Sequence, residues 1–291
     1  MSGATFKAAM IQMRSGLTPT ANIDAAVKLI GEAKSGGADY VQTPEMTNVL
    51  AGKREQLFSV IAPEESDASL TAFRDLARKL KIYVHAGSMA IKASPEKAAN
   101  RSFLIDPQGE IVARYDKIHM FDVDLAGGES YRESNNYRPG ELATSADLPW
   151  GRMGLSICYD LRFPQLYRAL AEAGASYLAI PSAFTRQTGE AHWHVLMRAR
   201  AIENGAFVFA AAQGGKHEHG RETYGHSMIV DPWGKILAEG GTEPGVVMAE
   251  IDPSQIAAAR ARIPSLQHGR RFEMVEPLAE PAHLHVVRSK S

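Results

Sequence analysis

The stretch Gly154-Leu155-Ser156-Ile157-Cys158-Tyr159-Asp160-Leu161-Arg162-Phe163-Pro164 holds the single cysteine of the sequence. Residues 153–157 have the short apolar pattern of a buried strand, and an amphipathic helix is predicted from about 164 to 173. Cys158 is therefore expected at a strand-to-helix corner, near N–H groups whose partial positive charge favours a thiolate. A lone cysteine is more often a small buried apolar residue, so the surrounding sequence has to decide between these interpretations.

Composition narrows the class of protein. The chain has 291 residues, 45% hydrophobic and 22% charged, with a net charge of −1, which is typical of a soluble globular protein. No long run of one charge sign occurs, which argues against nucleic-acid and membrane partners and favours a small molecule. With one cysteine and no signal-peptide pattern, a cytosolic location is expected, and no apolar run approaches the roughly 20 residues of a membrane span.

Strand and helix patterns alternate along the chain. The predicted strands cover 6–13, 40–43, 82–86, 102–105, 111–115, 153–157, 177–180, 207–212, 226–230, 236–238 and 245–251, and the predicted helices cover about 22–34, 70–80, 164–173 and 191–204. Hairpin-like pairs among them indicate an α/β layered fold with a mixed sheet. Residues 122–141 are predicted to form a long loop, and such loops are often functional.

The domain organisation is predicted to be simple. No linker divides the chain, so residues 1–291 are interpreted as one domain with a core of about 6–271. Residues 272–291 are expected to form an extended tail that docks on a partner subunit.

Three chemically useful residues follow predicted strands: Glu45, Lys117 and Cys158. The carboxyl ends of strands in open α/β sheets line the ligand crevice, so these side chains are expected to converge. Singly, each has an ordinary explanation as a solvated carboxylate, a surface ammonium or a core thiol.

Together, the three residues suit nucleophilic attack on an amide. Cys158 would be the nucleophile, and Glu45 the general base that takes its proton and later delivers one to departing ammonia. Lys117 would be a fixed cation for the oxyanion. This role requires Glu45 to be desolvated enough to raise its affinity for a proton.

Three motifs resemble the nitrilase-like carbon–nitrogen hydrolases, in that family's order and spacing. They are Thr43-Pro44-Glu45, Tyr115-Asp116-Lys117-Ile118-His119-Met120-Phe121-Asp122 and Ile157-Cys158-Tyr159-Asp160-Leu161-Arg162-Phe163-Pro164. The similarity extends from Phe6 to about Arg271. It implies a four-layer α-β-β-α sandwich, a Glu–Lys–Cys triad, no metal or organic cofactor, and homodimers packed through helices next to the active site.

The resemblance also implies roles for individual residues. Water activated by Glu45 would hydrolyse a thioester on Cys158, and the backbone N–H of Tyr159 would join Lys117 in the oxyanion hole. The second glutamate of the family matches Glu133, with Glu129 as the weaker candidate.

A second block resembles the deaminated glutathione amidase branch most. It begins at Pro181-Ser182-Ala183-Phe184 and ends at Tyr224-Gly225-His226-Ser227-Met228-Ile229-Val230-Asp231-Pro232-Trp233-Gly234. The implied reaction is hydrolysis of a small carboxylic-acid monoamide with release of ammonia. An ω-amidase acting on 2-oxoglutaramate or 2-oxosuccinamate, or an N-carbamoyl amidohydrolase, is the alternative; a nitrilase is less consistent with this block. A non-catalytic binding protein is disfavoured because the whole triad is present.

Several side chains are candidates for substrate contacts. Tyr159, Arg162, Ser182 and Phe184 are predicted to bind the substrate, and Arg162, Arg186 and Lys216 are the cations considered for an anionic substrate. Segment 214–220 follows the amidase pattern only loosely, which leaves the choice of substrate open.

Histidine spacing predicts no metal site. His192 and His194 are two residues apart on a predicted helix and point to different faces. His217 and His219 lie in a Gly-rich segment that is interpreted as a solvated or substrate-facing loop.

Overall fold

The computed structural model describes residues 4–274, so most of the tail predicted at 272–291 lies outside the described residues. Six helices are described: α1 (Pro19–Ser35), α2 (Arg54–Val60), α3 (Ala68–Leu80), α4 (Pro164–Glu172), α5 (Arg186–Asn204) and α6 (Ser254–Arg262). The strands are β1 (Phe6–Gln12), β2 (Tyr40–Gln42), β3 (Tyr83–Lys92), β4 (Ala98–Ile105), β5 (Ile111–Asp116), β6 (Asp122–Asp124), β7 (Ser130–Arg132), β8 (Thr144–Leu148), β9 (Gly151–Leu155), β10 (Ala175–Ala179), β11 (Phe207–Ala210), β12 (Gly214–Lys216), β13 (Glu222–Tyr224), β14 (Met228–Val230), β15 (Ile236–Glu239) and β16 (Gly245–Ile251). Within this part of the chain, no helix combines the length and the apolar character needed to cross a membrane.

Twelve of the strands form two mixed six-stranded sheets, as predicted, and β6-β7 and β12-β13 form two separate hairpins. The first sheet has the order β16-β1-β2-β3-β4-β5 and the second β15-β14-β11-β10-β9-β8. Strands β1, β2 and β3 are parallel, as are β9, β10 and β11, while the flanking strands are antiparallel to their neighbours. The parallel strands at the centre bring several strand ends to the same edge of each sheet.

The two sheets pack face to face between helices. Tyr40 of the first sheet lies 5.5 Å from Phe209 of the second, measured between ring centroids. Helices α1 and α3 cover the outer face of the first sheet through Ile30 and Phe73, and α4 and α5 cover the second sheet. This arrangement confirms the four-layer α-β-β-α sandwich.

Local sequence explains the helix ends nearest the site. Helix α5 begins after Thr185, whose side chain accepts a hydrogen bond from the N–H of Thr188, and it ends at Gly205 in the left-handed conformation. Helix α3 begins in the same way at Asp67, whose carboxylate accepts from the N–H of Leu70 at 2.8 Å. These caps satisfy N–H groups that the first turn leaves without partners.

Some boundaries differ from the prediction. Strand β3 continues to Lys92, beyond its predicted end at residue 86, and its pairing with β4 shifts at an irregularity between Ala86 and Met89. The segment predicted as a loop at 122–141 contains the short hairpin of β6 and β7.

His85 is a buried histidine between the sheets. Its Nδ1 lies 2.7 Å from the Tyr40 hydroxyl and its Nε2 lies 2.7 Å from the Ser102 hydroxyl. Burial lowers the pKa of His85 to about 3, so its ring is neutral in the folded protein at neutral pH.

Because His85 is buried in its neutral form, the free energy of unfolding is expected to decrease as the pH is lowered. An unfolded histidine takes up a proton near pH 6.5, while folded His85 does so only near pH 3, so the unfolded state binds more protons between these values. Stability should therefore decrease as the pH falls through this window, by up to about 1.4 kcal/mol per pH unit. Urea titrations should show a shallower pH dependence for His85→Gln and no change for the exposed control His268→Gln. An unaltered slope in His85→Gln would contradict this assignment.

Candidate active site

Glu45, Lys117 and Cys158 meet at one end of the sandwich. Glu45 follows β2, and Lys117 follows β5, in the first sheet, whereas Cys158 follows β9 in the second sheet. The predicted convergence is therefore present, but it joins the ends of two facing sheets rather than one crevice. The three side chains are 4%, 2% and 7% exposed.

A close approach of backbone segments holds the two sheets together here. A Cβ atom on Gly87 would lie 1.9 Å from the carbonyl oxygen of Thr43 and 2.5 Å from Pro181 Cβ. Since no side chain fits this space, glycine allows β3 to pack closely against both the segment before Glu45 and the segment that follows β10.

Cys158 begins a short 3₁₀ turn rather than a long helix. The turn spans Cys158–Arg162, and α4 starts only at Pro164. Cys158 has a φ of 49°, a left-handed conformation that is uncommon for a residue with a side chain. Its N–H donates to the carbonyl of Pro181 at 2.9 Å.

Glu45 is hydrogen-bonded through both carboxylate oxygens. Oε1 accepts from Lys117 Nζ and from Asn100 Nδ2, both at 2.9 Å, and Oε2 accepts from the N–H of Ala183 at 2.9 Å. The Cys158 thiol lines the same cavity as the Glu45 carboxylate. The Glu45 carboxylate and the Lys117 ammonium thus form one connected network beside the Cys158 thiol.

Glu133 completes this network. Its Oε2 accepts from Lys117 Nζ at 2.8 Å and from the N–H of Phe121 at 2.7 Å, while Oε1 accepts from Asn100 at 3.0 Å. Glu129 is exposed and lies outside the cavity. The structure therefore favours Glu133 over Glu129 as the second glutamate.

The pKa shifts of Glu45 and Cys158 are opposite to those expected from the sequence. Burial opposes ionisation of Glu45, but the charge and hydrogen bond of Lys117 outweigh it and lower the pKa of Glu45. Burial and the Glu45 charge raise the pKa of Cys158. Burial opposes the Lys117 charge, yet Glu133 and Glu45 raise the pKa of Lys117.

The resting site therefore holds a thiol, not the thiolate expected at the strand-to-helix corner. Glu45 is an ionised carboxylate with a lowered pKa, not one with a raised affinity for a proton. Glu45 and Cys158 line the same cavity, so the ionised carboxylate is suited to take the thiol proton.

Asp160 joins the Cys158 turn to the segment that carries Lys117. Its Oδ2 accepts from the Tyr115 hydroxyl at 2.7 Å and from the N–H of Ile157 at 2.8 Å. Its Oδ1 accepts from the N–H of His119 at 3.1 Å and lies 2.6 Å from His119 Nδ1. Asp160 is fully buried, so water cannot replace these bonds.

Asp160→Asn is expected to impair both folding and catalysis. The amide offers a single acceptor oxygen and places an NH₂ group against N–H or O–H donors, so about 1–3 kcal/mol of stability should be lost. The turnover number should fall by about tenfold or more because the Cys158 turn is no longer held against Lys117. Thermal melts and steady-state kinetics measure the two effects, with the exposed Asp147→Asn as the matched control. Wild-type turnover in Asp160→Asn would overturn this positioning role.

A cavity of about 670 Å³ opens above Cys158. Of the predicted substrate-binding residues, Tyr159, Arg162 and Phe184 line it. The prediction for Ser182 is wrong: its side chain is fully buried, does not line the cavity, and donates to the carbonyl of Ile180 at 3.1 Å.

The cations of the cavity differ in part from those predicted. Arg162 lines the cavity, whereas Arg186 pairs with Glu190 and Glu222 outside it. Lys216 is exposed and also lies outside.

Two contributors were missed by sequence reasoning. Asn100 lies in the part of β4 that was not predicted as a strand, although an Asn among apolar strand residues is an unusual signal. Arg221 lines the cavity from the chain segment between β12 and β13, and no pattern in the sequence points to it.

One group of possible metal ligands occurs among residues 4–274. Atoms of His194, His226 and Glu239 lie within 4.8 Å of one another, away from the cavity. Glu239 Oε1 lies 2.7 Å from His194 Nε2 and 2.8 Å from His226 Nδ1, so hydrogen bonds account for the cluster. That the protein uses no metal or organic cofactor stays a prediction.

The fold and this site agree with one class of protein, the enzymes that hydrolyse carbon–nitrogen bonds. The chain matches the model of the carbon-nitrogen hydrolase family over residues 7–261 and belongs to that family. The resemblance noted in the sequence is thereby confirmed.

Individual relatives narrow the comparison. The deaminated glutathione amidase of Yersinia enterocolitica is 41% identical over 273 residues, which cover 92% of this chain and 94% of that protein. The NitFhit protein of C. elegans superposes with a TM-score of 0.86 and 36% identity, covering 93% of this chain and 66% of that chain.

A third comparison concerns a trapped cysteine. A mutant amidase from Nesterenkonia sp. AN1, solved with the acetamide moiety of fluoroacetamide covalently added at the active site cysteine, has a TM-score of 0.76 and 26% identity. The match covers 91% of this chain and 97% of that chain.

Proposed function

We propose that this protein is an amidase that uses Cys158, Glu45 and Lys117 to hydrolyse a small carboxylic-acid monoamide, with deaminated glutathione as its substrate. The observation that carries the proposal is the convergence of buried Cys158 with a Glu45 carboxylate that binds Lys117, beneath an open cavity. The deaminated glutathione amidase of Yersinia enterocolitica supports the choice of substrate.

In the first half of the reaction, Cys158 Sγ attacks the amide carbonyl carbon while Glu45 takes the thiol proton. The amide oxygen becomes an oxyanion. Lys117 Nζ has three N–H donors, of which two are used by Glu45 and Glu133, so the third is available to this oxygen. The N–H of Tyr159, at the start of the 3₁₀ turn, is the proposed second donor. One such donor is worth about 3 kcal/mol to a transition state.

Collapse of the tetrahedral intermediate breaks the carbon–nitrogen bond. Glu45 gives its proton to the departing nitrogen, which leaves as a neutral amine, and the acyl group stays on Cys158 as a thioester. Water then attacks the thioester while Glu45 takes one of its protons. When the carbon–sulfur bond breaks, that proton returns to Sγ and the acid product leaves.

Glu133 and Asn100 are proposed to position Lys117 and Glu45 rather than to take part in the reaction. Glu133 binds the face of Lys117 Nζ that Glu45 does not, and Asn100 donates to both glutamates. The ammonium therefore stays charged and fixed in a site from which bulk water is excluded, which strengthens its effect on the oxyanion.

The proposed substrate changes the predicted leaving group. Deaminated glutathione is 2-oxoglutarate joined by its C5 amide to cysteinylglycine. Its hydrolysis therefore releases the dipeptide amine, and ammonia is released only from a primary amide such as 2-oxoglutaramate. An ammonia assay alone would miss the reaction, whereas 2-oxoglutarate is a product of both substrates.

The test is release of 2-oxoglutarate from deaminated glutathione and from 2-oxoglutaramate under identical conditions. We expect a higher kcat/KM for the peptide. The opposite preference would make the protein an ω-amidase, and no product from either would discard both substrates and leave N-carbamoyl compounds to be tried.

The homodimer and the cytosolic location remain proposals. Val195 and Ile202 on α5 are 68% and 50% exposed, and Trp233 is 54% exposed. Val195 and Ile202 lie on the helix that follows the cavity residue Thr185, and Trp233 lies in the turn between β14 and β15, so these exposed apolar side chains support a subunit contact next to the site.

A further inference from the structure

The hairpin of β12 and β13 forms one wall of the cavity. Its turn carries Glu218, His219 and Arg221 into the lining. His217 anchors this turn from behind: its Nδ1 donates to the carbonyl of Ser15 at 2.9 Å, and its Nε2 lies 2.7 Å from the Thr223 hydroxyl. The turn is thus held in place by buried hydrogen bonds.

Arg221 has hydrogen-bonding capacity that the described residues do not use. Its Nη2 donates to the carbonyl of Ala183 at 2.5 Å, and its guanidinium lies 5.1 Å from the ring centre of Tyr131. Its Nε is buried and has no partner among residues 4–274, and the same holds for His219 Nδ1. Arg221 Nε is a donor whatever its surroundings, and a buried donor without an acceptor costs free energy until an acceptor arrives.

Arg221 is also a cation without a carboxylate partner in the described part of the chain. Arg132, another arginine of the cavity, is paired with Asp124 at 2.8 Å. Glu218 is the acidic side chain of the hairpin turn, but its Oε2 accepts from the N–H of Leu17. The guanidinium of Arg221 is therefore suited to an anion that comes with the substrate.

The position of Arg221 indicates which end of a substrate it meets. Arg221 binds the carbonyl of Ala183, and the N–H of the same residue binds Glu45. Glu45 has to reach the departing nitrogen, so the leaving group extends along this side of the cavity. Arg162, in contrast, belongs to the Cys158 turn itself and packs on Tyr159.

We infer that Arg221, with His219 beside it, forms a subsite for a carboxylate on the leaving-group part of the amide. The inference rests on the proposed function and specifies it: the subsite selects amides of peptide-like amines that end in a carboxylate over primary amides. In deaminated glutathione the group bound there is the carboxylate of the glycine residue. The 2-oxo acid carboxylate lies at the other end of that molecule.

The test compares deaminated glutathione with its C-terminal carboxamide, which differs only in the carboxylate, and with 2-oxoglutaramate, which lacks a leaving-group carboxylate. Release of 2-oxoglutarate is measured for the wild type and for Arg221→Met, Arg221→Lys and Arg186→Met. We expect the wild type to prefer the acid over the carboxamide by about 10- to 100-fold in kcat/KM. Arg221→Met should reduce this ratio to about one, Arg221→Lys should keep part of it, and the control Arg186→Met should keep it whole.

The ratio of kcat/KM for the acid to kcat/KM for the carboxamide distinguishes loss of carboxylate recognition from a general loss of activity. An Arg221→Met enzyme that loses activity equally on all three amides, with the acid-to-carboxamide ratio unchanged, would overturn the inference and assign Arg221 a structural role at Ala183. A wild type without preference for the acid would also overturn it, as would a fall in the ratio caused by Arg186→Met.

A binding measurement keeps this inference distinct from the proposed function. Calorimetry with the Cys158→Ala protein should show tighter binding of deaminated glutathione than of its carboxamide, and a second change, Arg221→Met, should abolish the difference. Equal binding of the two compounds contradicts the subsite whatever the turnover. Absence of turnover on all three amides, with the binding difference present, contradicts only the proposed function.

Discussion

Cys158→Ala is expected to lower the turnover of deaminated glutathione by roughly 10⁴-fold or more, because removal of a nucleophile leaves only binding and the oxyanion donors. The fold should persist, since alanine occupies less space and Cys158 is bonded to its surroundings chiefly through its N–H to Pro181. Release of 2-oxoglutarate measures the first effect and thermal melting the second.

The matched control for Cys158→Ala is Ser182→Ala. This change also removes one buried side-chain atom near the site, but Ser182 does not line the cavity, so turnover should persist. Substantial turnover by a folded Cys158→Ala protein would rule out the thioester mechanism.

Glu45→Gln is expected to lower kcat by about 10²- to 10⁴-fold, the usual contribution of a general base. Glutamine keeps the size of the side chain but cannot take the thiol proton, and the resting thiol has a raised pKa, so few thiolates form without the base. Single-turnover kinetics should locate the loss in the acylation step. The exposed Glu129→Gln is the control, because Glu129 lies outside the cavity.

The pH dependence of the wild type follows from the same geometry. Lys117 lowers the pKa of Glu45, so the base stays ionised, and kcat/KM should stay constant, down to pH values below the ordinary range of a glutamate. Near-normal turnover by Glu45→Gln would contradict the assignment of Glu45 as the base and would direct attention to Glu133.

Sequence patterns predicted the site residues that follow strands better than the residues that surround them. Glu45, Lys117 and Cys158 could be found because each follows a predicted strand and lies in a specific motif. Asn100 could not, because its contacts to Glu45 and Glu133 join segments far apart in the chain. Arg221 enters the cavity only because a hairpin folds over it, a contact with no local periodicity.

The errors of the sequence analysis have a common physical origin. Ser182 was assigned to the substrate because it lies in a motif, but the segment that follows β10 buries its side chain completely. The thiolate of Cys158 was inferred from the local corner and the raised proton affinity of Glu45 from its role as a base, whereas burial and the charges of Glu45 and Lys117 decide both protonation states. Such effects depend on packing between the two sheets, which the sequence does not specify locally.

The thioester itself offers the most direct test of the proposed mechanism. Wild-type protein is mixed with deaminated glutathione, quenched with acid within one turnover, digested and analysed by mass spectrometry. The mechanism predicts a 2-oxoglutaryl group on the peptide that contains Cys158, removable by hydroxylamine, together with a burst of cysteinylglycine. Turnover without acylation of Cys158, or an acyl group on another residue, would contradict it.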